Sequence, residues 1–330
     1  MRIKDKIYCA YSILKSRILN VRIPLAVRWQ LTNKCTLRCK YCNIYDKGGS
    51  ELGLSQVKDV LCQLKGLGTK RISFSGGDVL LRDDFSEILD CCIDYGIYPE
   101  LNCNGVLFYD KAHKLKKLDF VKFSLDGPKQ VHDSLRGDGS FDKVMKSVEA
   151  CLKNKIKFGF AMTLTKFNIN DLDFLLQTAK KYETIVAFQP VKSMHKGIEG
   201  IDEFLGSEEV FRKALKKLIL EKGRGCENIR NSMRELKYIY DWPNLKEMKC
   251  YAGQIFCIIG PDGDVYPCDR VDGFMNNTIL PNCQKLGIEE AIRQLPEFYC
   301  KGCGFCGALE LNHLMNFKFG VLKSIKRIIS

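Results

Sequence analysis

The apolar positions divide the chain into short runs and longer periodic stretches that alternate. Runs of strand length fall at Leu25–Leu31, Arg71–Ser75, Tyr98–Asn102, Phe120–Leu125, Lys157–Leu164 and Thr184–Pro190. Between them, apolar residues recur at the three- and four-residue spacing of a helix with one buried face. These stretches lie near Ser55–Leu67, Asp83–Tyr95, Tyr109–Leu115, Ser140–Asn154 and Ile169–Lys181. Six strands separated by helices predict a parallel sheet, because parallel neighbours need a crossover and cannot be joined by a tight turn. The pattern leaves open whether that sheet is doubly wound or curls into a partial barrel.

The flanks read differently. Residues 1–24 predict an amphipathic helix, with Ile3, Ile7, Tyr11, Leu14 and Ile18 in one stripe and Arg2, Lys4, Lys6, Lys15 and Arg17 elsewhere. Pro24 is the expected stop, since proline disfavours helical geometry in the residue before it. Packing of the stripe across the barrel is its ordinary use, and contact with a membrane surface is the sharper one. Residues 196–245 predict a helical connection, with helices near Ser207–Glu221 and Glu227–Tyr240 and charges on a solvated face. In 246–310, two short apolar runs flank Pro261-Asp262-Gly263-Asp264, the pattern of a β-hairpin. The tail, 311–330, carries Lys318, Lys323, Lys326 and Arg327 and no acid. If helical, it lines up Leu314, Phe317, Val321, Ile325 and Ile328, although Gly320 weakens such a helix by roughly 1 kcal/mol relative to alanine.

Composition narrows the setting. An apolar share of 45% and a charged share of 28% over 330 residues are those of an ordinary globular chain with a large core. No apolar run approaches the roughly 20 residues of a membrane-spanning helix. The N-terminal stretch does not read as a cleaved signal. Seventeen cysteines without such a signal point to reduced thiols and metal ligation, hence a cytoplasmic location, with the inner membrane face as a peripheral option. The formal charge of +13 is spread along the chain, without the aromatic-interleaved basic patch that grips single strands, so nucleic acid is not the favoured partner.

The cysteines carry the chemistry. Cys35, Cys39 and Cys42 lie within eight residues, separated by three and then two residues, with Tyr41 before the last. One loop can wrap three such thiolates around a metal centre, and soft thiolates select zinc, Cu(I) or iron–sulfur clusters. Held in a cubane, three ligands leave one iron open, as a catalytic zinc keeps an open position. A zinc knuckle or simple core packing are the competing readings. A second block holds Cys250 and Cys268, then Cys300, Cys303 and Cys306, with Cys257 and Cys283 spare. Distant cysteine blocks of this kind signal metal, a zinc ribbon being the competitor.

Cys-x3-Cys-x-aromatic-Cys after a first strand resembles the radical S-adenosylmethionine (SAM) superfamily. Further motifs follow in order: Ser75-Gly76-Gly77-Asp78, similar to the family's Gly-Gly-Glu; Asn102-Cys103-Asn104-Gly105; and Ser124-Leu125-Asp126-Gly127 with His132-Asp133 and Arg136-Gly137. The resemblance implies a (β/α)6 partial TIM barrel over 25–195. It also implies a [4Fe-4S] cluster on Cys35, Cys39 and Cys42 whose open iron binds SAM. Tyr41, Gly76, Gly77, Asp78, Asn104, Ser124, Arg136 and Asn168 are its expected SAM contacts. In Asp78 a shorter side chain stands for the family's Glu. His132 reads as structural, since no nucleophile stands near it in the pattern.

Cys-x12-Gly-x4-Cys from Cys250 to Cys268 resembles the opening of the SPASM/twitch auxiliary-cluster domain. The closer spacing of the last three cysteines is more like the single-cluster twitch form. This implies at least one auxiliary [4Fe-4S] cluster, held by Cys250, Cys268, Cys300 and Cys303, with Cys306 competing for the fourth place.

The implied activity is reductive cleavage of SAM to a 5′-deoxyadenosyl radical that abstracts hydrogen from substrate, with an electron donor such as flavodoxin or ferredoxin. The auxiliary cluster would oxidise the substrate radical or position the substrate. Ribosomal-peptide maturation is the leading expectation, although residues 1–24 leave no room for a fused leader-binding domain. Radical chemistry on a small molecule or lipid intermediate at a membrane surface is the alternative. A non-catalytic zinc or redox-sensing protein is the reading from another class.

Overall fold

The computed structural model describes residues 2–191, 201–242, 244–268, 279–296, 302–303 and 305–316. Its core is one sheet of parallel strands in sequence order: β1 (Ala26–Thr32), β2 (Arg71–Gly76), β3 (Tyr98–Cys103), β4 (Phe120–Ser124), β5 (Phe158–Leu164) and β6 (Val186–Pro190). The register shifts once, between Gln30 and Thr32 at the end of β1, where Thr32 pairs with Gly76. Ala26 pairs with Arg71, Glu100 with Phe120, and Phe160 with Val186. The crossovers carry α2 (Leu54–Gly66), α3 (Phe85–Asp94), the short α4 (Phe108–Lys111), α5 (Lys129–Arg136), α6 (Ser140–Asn154) and α7 (Leu172–Lys181). Of these, α5 contains the His132–Arg136 block and is not marked by apolar periodicity.

Each strand alternates, and the two faces differ in kind. One face is apolar and fully buried, with Trp29, Ile72, Phe74, Leu101, Phe123 and Phe160. Edge-to-face contacts of Phe74 with Phe85 and of Phe123 with Phe108 lock this face to the helix layer. The other face carries polar side chains that bond across strands. Arg28 Nε donates to Ser75 Oγ at 2.8 Å, Arg71 pairs with Glu100 at 3.2 Å, and Asn102 Nδ2 donates to Ser73 Oγ at 2.9 Å. A closed TIM barrel fills this space with side chains. Here it opens into a cavity of about 730 Å³.

Beyond β6 lie α8 (Glu208–Gly223) and α9 (Met233–Ile239). The helix expected from Glu227 begins only at Met233, where Ser232 Oγ accepts the Glu235 N–H. The preceding residues follow β6 instead: Val186 N–H donates to the Asn228 carbonyl and Arg230 N–H to the Val186 carbonyl, both near 2.8 Å. This pairing aims Arg230 into the cavity. Glu235, expected on a solvated face, is buried.

The cysteine-rich segment contributes to the same sheet. β7 (Phe256–Ile259) pairs in parallel with β1 and antiparallel with β8 (Val265–Tyr266). The expected hairpin is present, with Gly263 at φ 91° in its turn. The short α10 (Cys283–Leu286) and α11 (Ile288–Arg293) lie against α2, and α12 (Cys306–Met315) lies against α9 and the N-terminal helix α1 (Ile3–Leu19).

Two features of α1 differ from expectation. It stops at Leu19, ahead of Pro24, because Asn20 turns left-handed at φ 52°. It also packs the other way round. Its buried face is Asp5, Cys9, Ser12, Ile13 and Ser16, while the Ile3–Ile18 stripe is exposed. No helix among the described residues is long and apolar enough to cross a membrane. Phe317 onward, including the rest of the expected tail stripe, lies outside the described residues.

Candidate active site

The triad loop leaves the carboxyl end of β1, the end at which α/β barrels gather their sites. Two neighbours pin it. On one side β2 ends in two glycines: a Cβ on Gly76 would come within 2.2 Å of the Thr32 carbonyl oxygen, and one on Gly77 within 2.0 Å of that of Lys34. Their absence lets Gly77 N–H and Asp78 N–H donate to those same two carbonyls at 2.8 and 2.7 Å. Asp78 is buried. Its Oδ2 accepts from Thr36 Oγ1 at 2.7 Å and its Oδ1 from the Leu80 N–H at 3.1 Å. Asn104, at the end of β3, donates to Thr36 Oγ1 at 3.0 Å and approaches Cys35 Sγ at 3.9 Å.

On the other side the loop rests on α5. Lys40 N–H donates to the Leu135 carbonyl at 3.0 Å, and Arg136 Nη1 approaches Cys39 Sγ at 3.9 Å. The centre of this side is Asp126, which is fully buried. One of its oxygens accepts from Arg136 Nε at 2.6 Å and also from the Tyr41 hydroxyl, and the other accepts the Thr163 N–H at 2.9 Å. The Arg136 guanidinium therefore braces the triad loop in this arrangement. His132 accepts the Asp126 N–H at 3.1 Å through Nδ1. Burial, reinforced by Arg136, lowers its pKa to about 4 and keeps it neutral.

Ser124 is the last residue of β4, two residues before Asp126. Asn168 does not face the cavity. Its buried amide accepts from Thr165 N–H and Oγ1 at 2.8 and 3.0 Å and donates to the Thr163 carbonyl at 2.8 Å, so it shapes the loop after β5.

The donor set around the triad suits cluster thiolates. Burial raises the Cys35 thiol and takes that of Cys39 up to about 11. The bare thiolates are costly here, and metal coordination deprotonates a thiol outright. Amide and guanidinium donors aimed at sulfur are of the kind that tune an iron–sulfur cluster. Among the described residues no three His, Cys, Asp or Glu side chains converge on one metal ion. A cubane binds its thiolates at different corners and needs no such convergence.

At the other side of the cavity lies the second cysteine block. Cys250 Sγ accepts from Ala252 N–H at 3.5 Å and from Asn312 Nδ2 at 3.7 Å, again donors suited to a ligating sulfur. Cys268 and Cys306 line the cavity that also reaches Cys42 and Gly76. Cys303 N–H donates to the Tyr238 hydroxyl at 3.0 Å. Cys300 lies outside the described residues. Cys257 and Cys283 are buried, and burial takes their thiols up to about 12 and 11.

The cavity wall holds residues absent from the sequence-based site: Arg28, Glu100, Lys122, Arg230, Glu235 and Glu310. Burial, with Arg230 next in effect, lowers the Lys122 amine to about 8. Burial and then Glu310 raise the Glu235 carboxyl to about 8. The first three had a signal in the sequence, since each charge sits between apolar residues of a strand. Arg230, Glu235 and Glu310 had none, because tertiary packing brings them here.

Residues 29–179 match the radical SAM superfamily. These residues form a radical SAM domain, and the chain is an enzyme. The cofactors of the family are a [4Fe-4S] cluster and SAM, and its SPASM-bearing members bind auxiliary clusters. Mycofactocin maturase MftC of Mycolicibacterium smegmatis is 28% identical over 302 residues, which cover 86% of this chain and 76% of that one. Fe-coproporphyrin III synthase of Methanosarcina barkeri is 30% identical over 209 residues, covering 61% and 52%. The fold is also that of Streptococcus suis SuiB bound to precursor peptide SuiA, with TM-score 0.69 and 18% identity over 87% of this chain and 68% of that one. The reading as a non-catalytic zinc or redox-sensing protein is thereby set aside.

Proposed function

We propose that this enzyme matures a ribosomally made peptide by hydrogen abstraction from one of its residues. The supporting observation is the single cavity that runs from Cys42 and Gly76 to Cys268 and Cys306, so one substrate segment can lie within reach of both cysteine blocks. A relative named as a maturase and a neighbour bound to its precursor peptide favour the same reading.

In this reading Cys35, Cys39 and Cys42 hold the SAM cluster. Cys250, Cys268, Cys303 and one of Cys300 and Cys306 hold the auxiliary one. When bound and reduced on these thiolates, such a cluster would supply the electron for reductive cleavage of SAM to methionine and a 5′-deoxyadenosyl radical. Asp78 faces the SAM amine, and Asn104 and Arg136 steady the thiolates of Cys35 and Cys39. Leu135, Val191 and Phe204 pack with Cys39 and Tyr41 in an apolar cluster that excludes water behind the triad, which protects a reactive radical from side reactions. A flavodoxin or ferredoxin in the cytoplasm supplies the electron.

Co-expression with any short reading frames that neighbour its gene, followed by mass spectrometry of the peptides, tests this. A peptide mass change that disappears in Cys35→Ala supports peptide maturation. Unmodified peptides together with SAM cleavage stimulated by a small anionic metabolite would favour the second reading, a small-molecule or lipid-intermediate enzyme. The charged cavity wall, and the name of the Methanosarcina relative, speak for that reading.

A further inference from the structure

We propose that α1 is an in-plane anchor that docks the enzyme on an anionic lipid surface. The helix carries its apolar side chains on the wrong face for a core. Ile3 is 76% exposed and Ile7 and Ile18 are each 66% exposed, with Tyr11 and Leu14 between them. At about 100° per residue these five side chains fall within roughly 80° of arc, a single unbroken stripe. The face turned to the protein is polar or small instead: Asp5, Ser12 and Ser16 are buried there with Cys9 and Ile13.

The charges decide what covers the stripe. Lys4 and Lys15 are exposed along one edge, and Lys6 lies along the other. The acid of the helix, Asp5, is withdrawn to the buried face, where Lys70 pairs with it at 3.2 Å and Arg2 at 3.1 Å. The outward face therefore presents hydrocarbon flanked by cations and no carboxylate. Lysines flanking a stripe can keep their stems on lipid while their ammonium groups reach headgroup phosphates. A protein partner would need an apolar groove rimmed with acid. A second copy of this face offers the same cations and would repel. Arg17 is held to the protein, its Nε donating to the Met315 carbonyl at 3.0 Å, and is not counted among these cations.

The test uses the full-length, cluster-loaded protein and flotation with two kinds of vesicle, phosphatidylcholine alone and phosphatidylcholine with phosphatidylglycerol. Binding is expected on the anionic vesicles, weakening as salt screens the charges. The double substitution Ile7→Asp and Ile18→Asp alters exposed positions only, so the fold should persist. It should reduce vesicle binding by about tenfold or more, because it removes apolar burial and adds like charge to the lipid. Its 5′-deoxyadenosine formation in solution should match wild type, which separates failure of the anchor from failure of the catalytic reading. No binding to anionic vesicles at low salt overturns the proposal. So does binding that the double variant leaves unchanged, since the basic tail would then suffice. A solution dimer abolished by the same variant also overturns it, because a second copy would be the true occupant.

Discussion

Arg136 and Asp126 form a buried ion pair, Nε to Oδ2 at 2.6 Å, beneath the Cys39 sulfur. Ten residues apart in sequence, they join the end of β4 to the end of α5, and through Tyr41 they tie both to the triad loop. The pair positions the loop that carries the chemistry.

Removing one partner of such a pair leaves an uncompensated buried charge. Asp126→Ala should destabilise the fold by about 3–5 kcal/mol, the usual range for breaking a buried pair. Denaturant unfolding of anaerobic protein measures this. A loss below about 1 kcal/mol, the range of exposed pairs, would mean that Arg136 has another partner.

The triad assignment predicts a selective loss. Replacing Cys35, Cys39 and Cys42 with alanine should abolish 5′-deoxyadenosine formation with dithionite. About four irons per chain should remain, as one auxiliary cubane requires. Residual SAM cleavage would refute the assignment. Near eight irons would reveal a second auxiliary cluster, and zinc a structural site.

Much of this was legible in the sequence, for identifiable reasons. The strands from Ala26 to Pro190 could be read because each carries apolar residues on its helix-facing side, and period two survives any tertiary context. The triad could be read because its three cysteines are close in sequence, and the Ser75–Asp78 turn because it ends the strand next to β1. The start of α9 could not, because Asn228–Arg230 pairs with β6 across some forty residues. The role of Asp126 was hidden likewise, its partners being Tyr41, Arg136 and Thr163. The outward turn of the α1 stripe was illegible in principle. An amphipathic pattern states that a helix has two faces and not which one the protein covers.

Asp78 allows binding to be separated from folding. Its carboxylate caps the turn at Leu80 and holds Thr36, so Asp78→Ala would loosen the triad loop as well as remove the charge. Asp78→Asn keeps an acceptor for Leu80 and turns an amide N–H toward Thr36 Oγ1, which can accept instead of donating, so the charge goes while the turn keeps its contacts. Iron content should then be retained while SAM binds roughly ten- to a hundredfold more weakly, the usual worth of a hydrogen bond to a charged group. Equilibrium binding of SAM to reconstituted protein measures this. Unaltered affinity would reduce Asp78 to a turn former.

His132 predicts an acid-sensitive step whose sign can be worked out. Its folded pKa is about 4, lowered first by burial and then by Arg136, with Asp126 and Asp133 opposing. In the unfolded chain it returns to about 6.5. Between those values the unfolded state binds the proton that the folded state refuses, so stability falls as pH drops from 6.5 toward 4. At about 1.4 kcal/mol per unit the window is worth roughly 3 kcal/mol. His132→Asn can keep the acceptor facing the Asp126 N–H while removing the titration. Urea unfolding at pH 7 and at pH 4.5 should show a smaller acid loss in the variant than in wild type. The difference between the two proteins is the relevant quantity, because acid damage to the clusters is common to both. Equal losses would mean that the ring gains a proton partner in the folded enzyme, which its buried Nε2 lacks among the described residues.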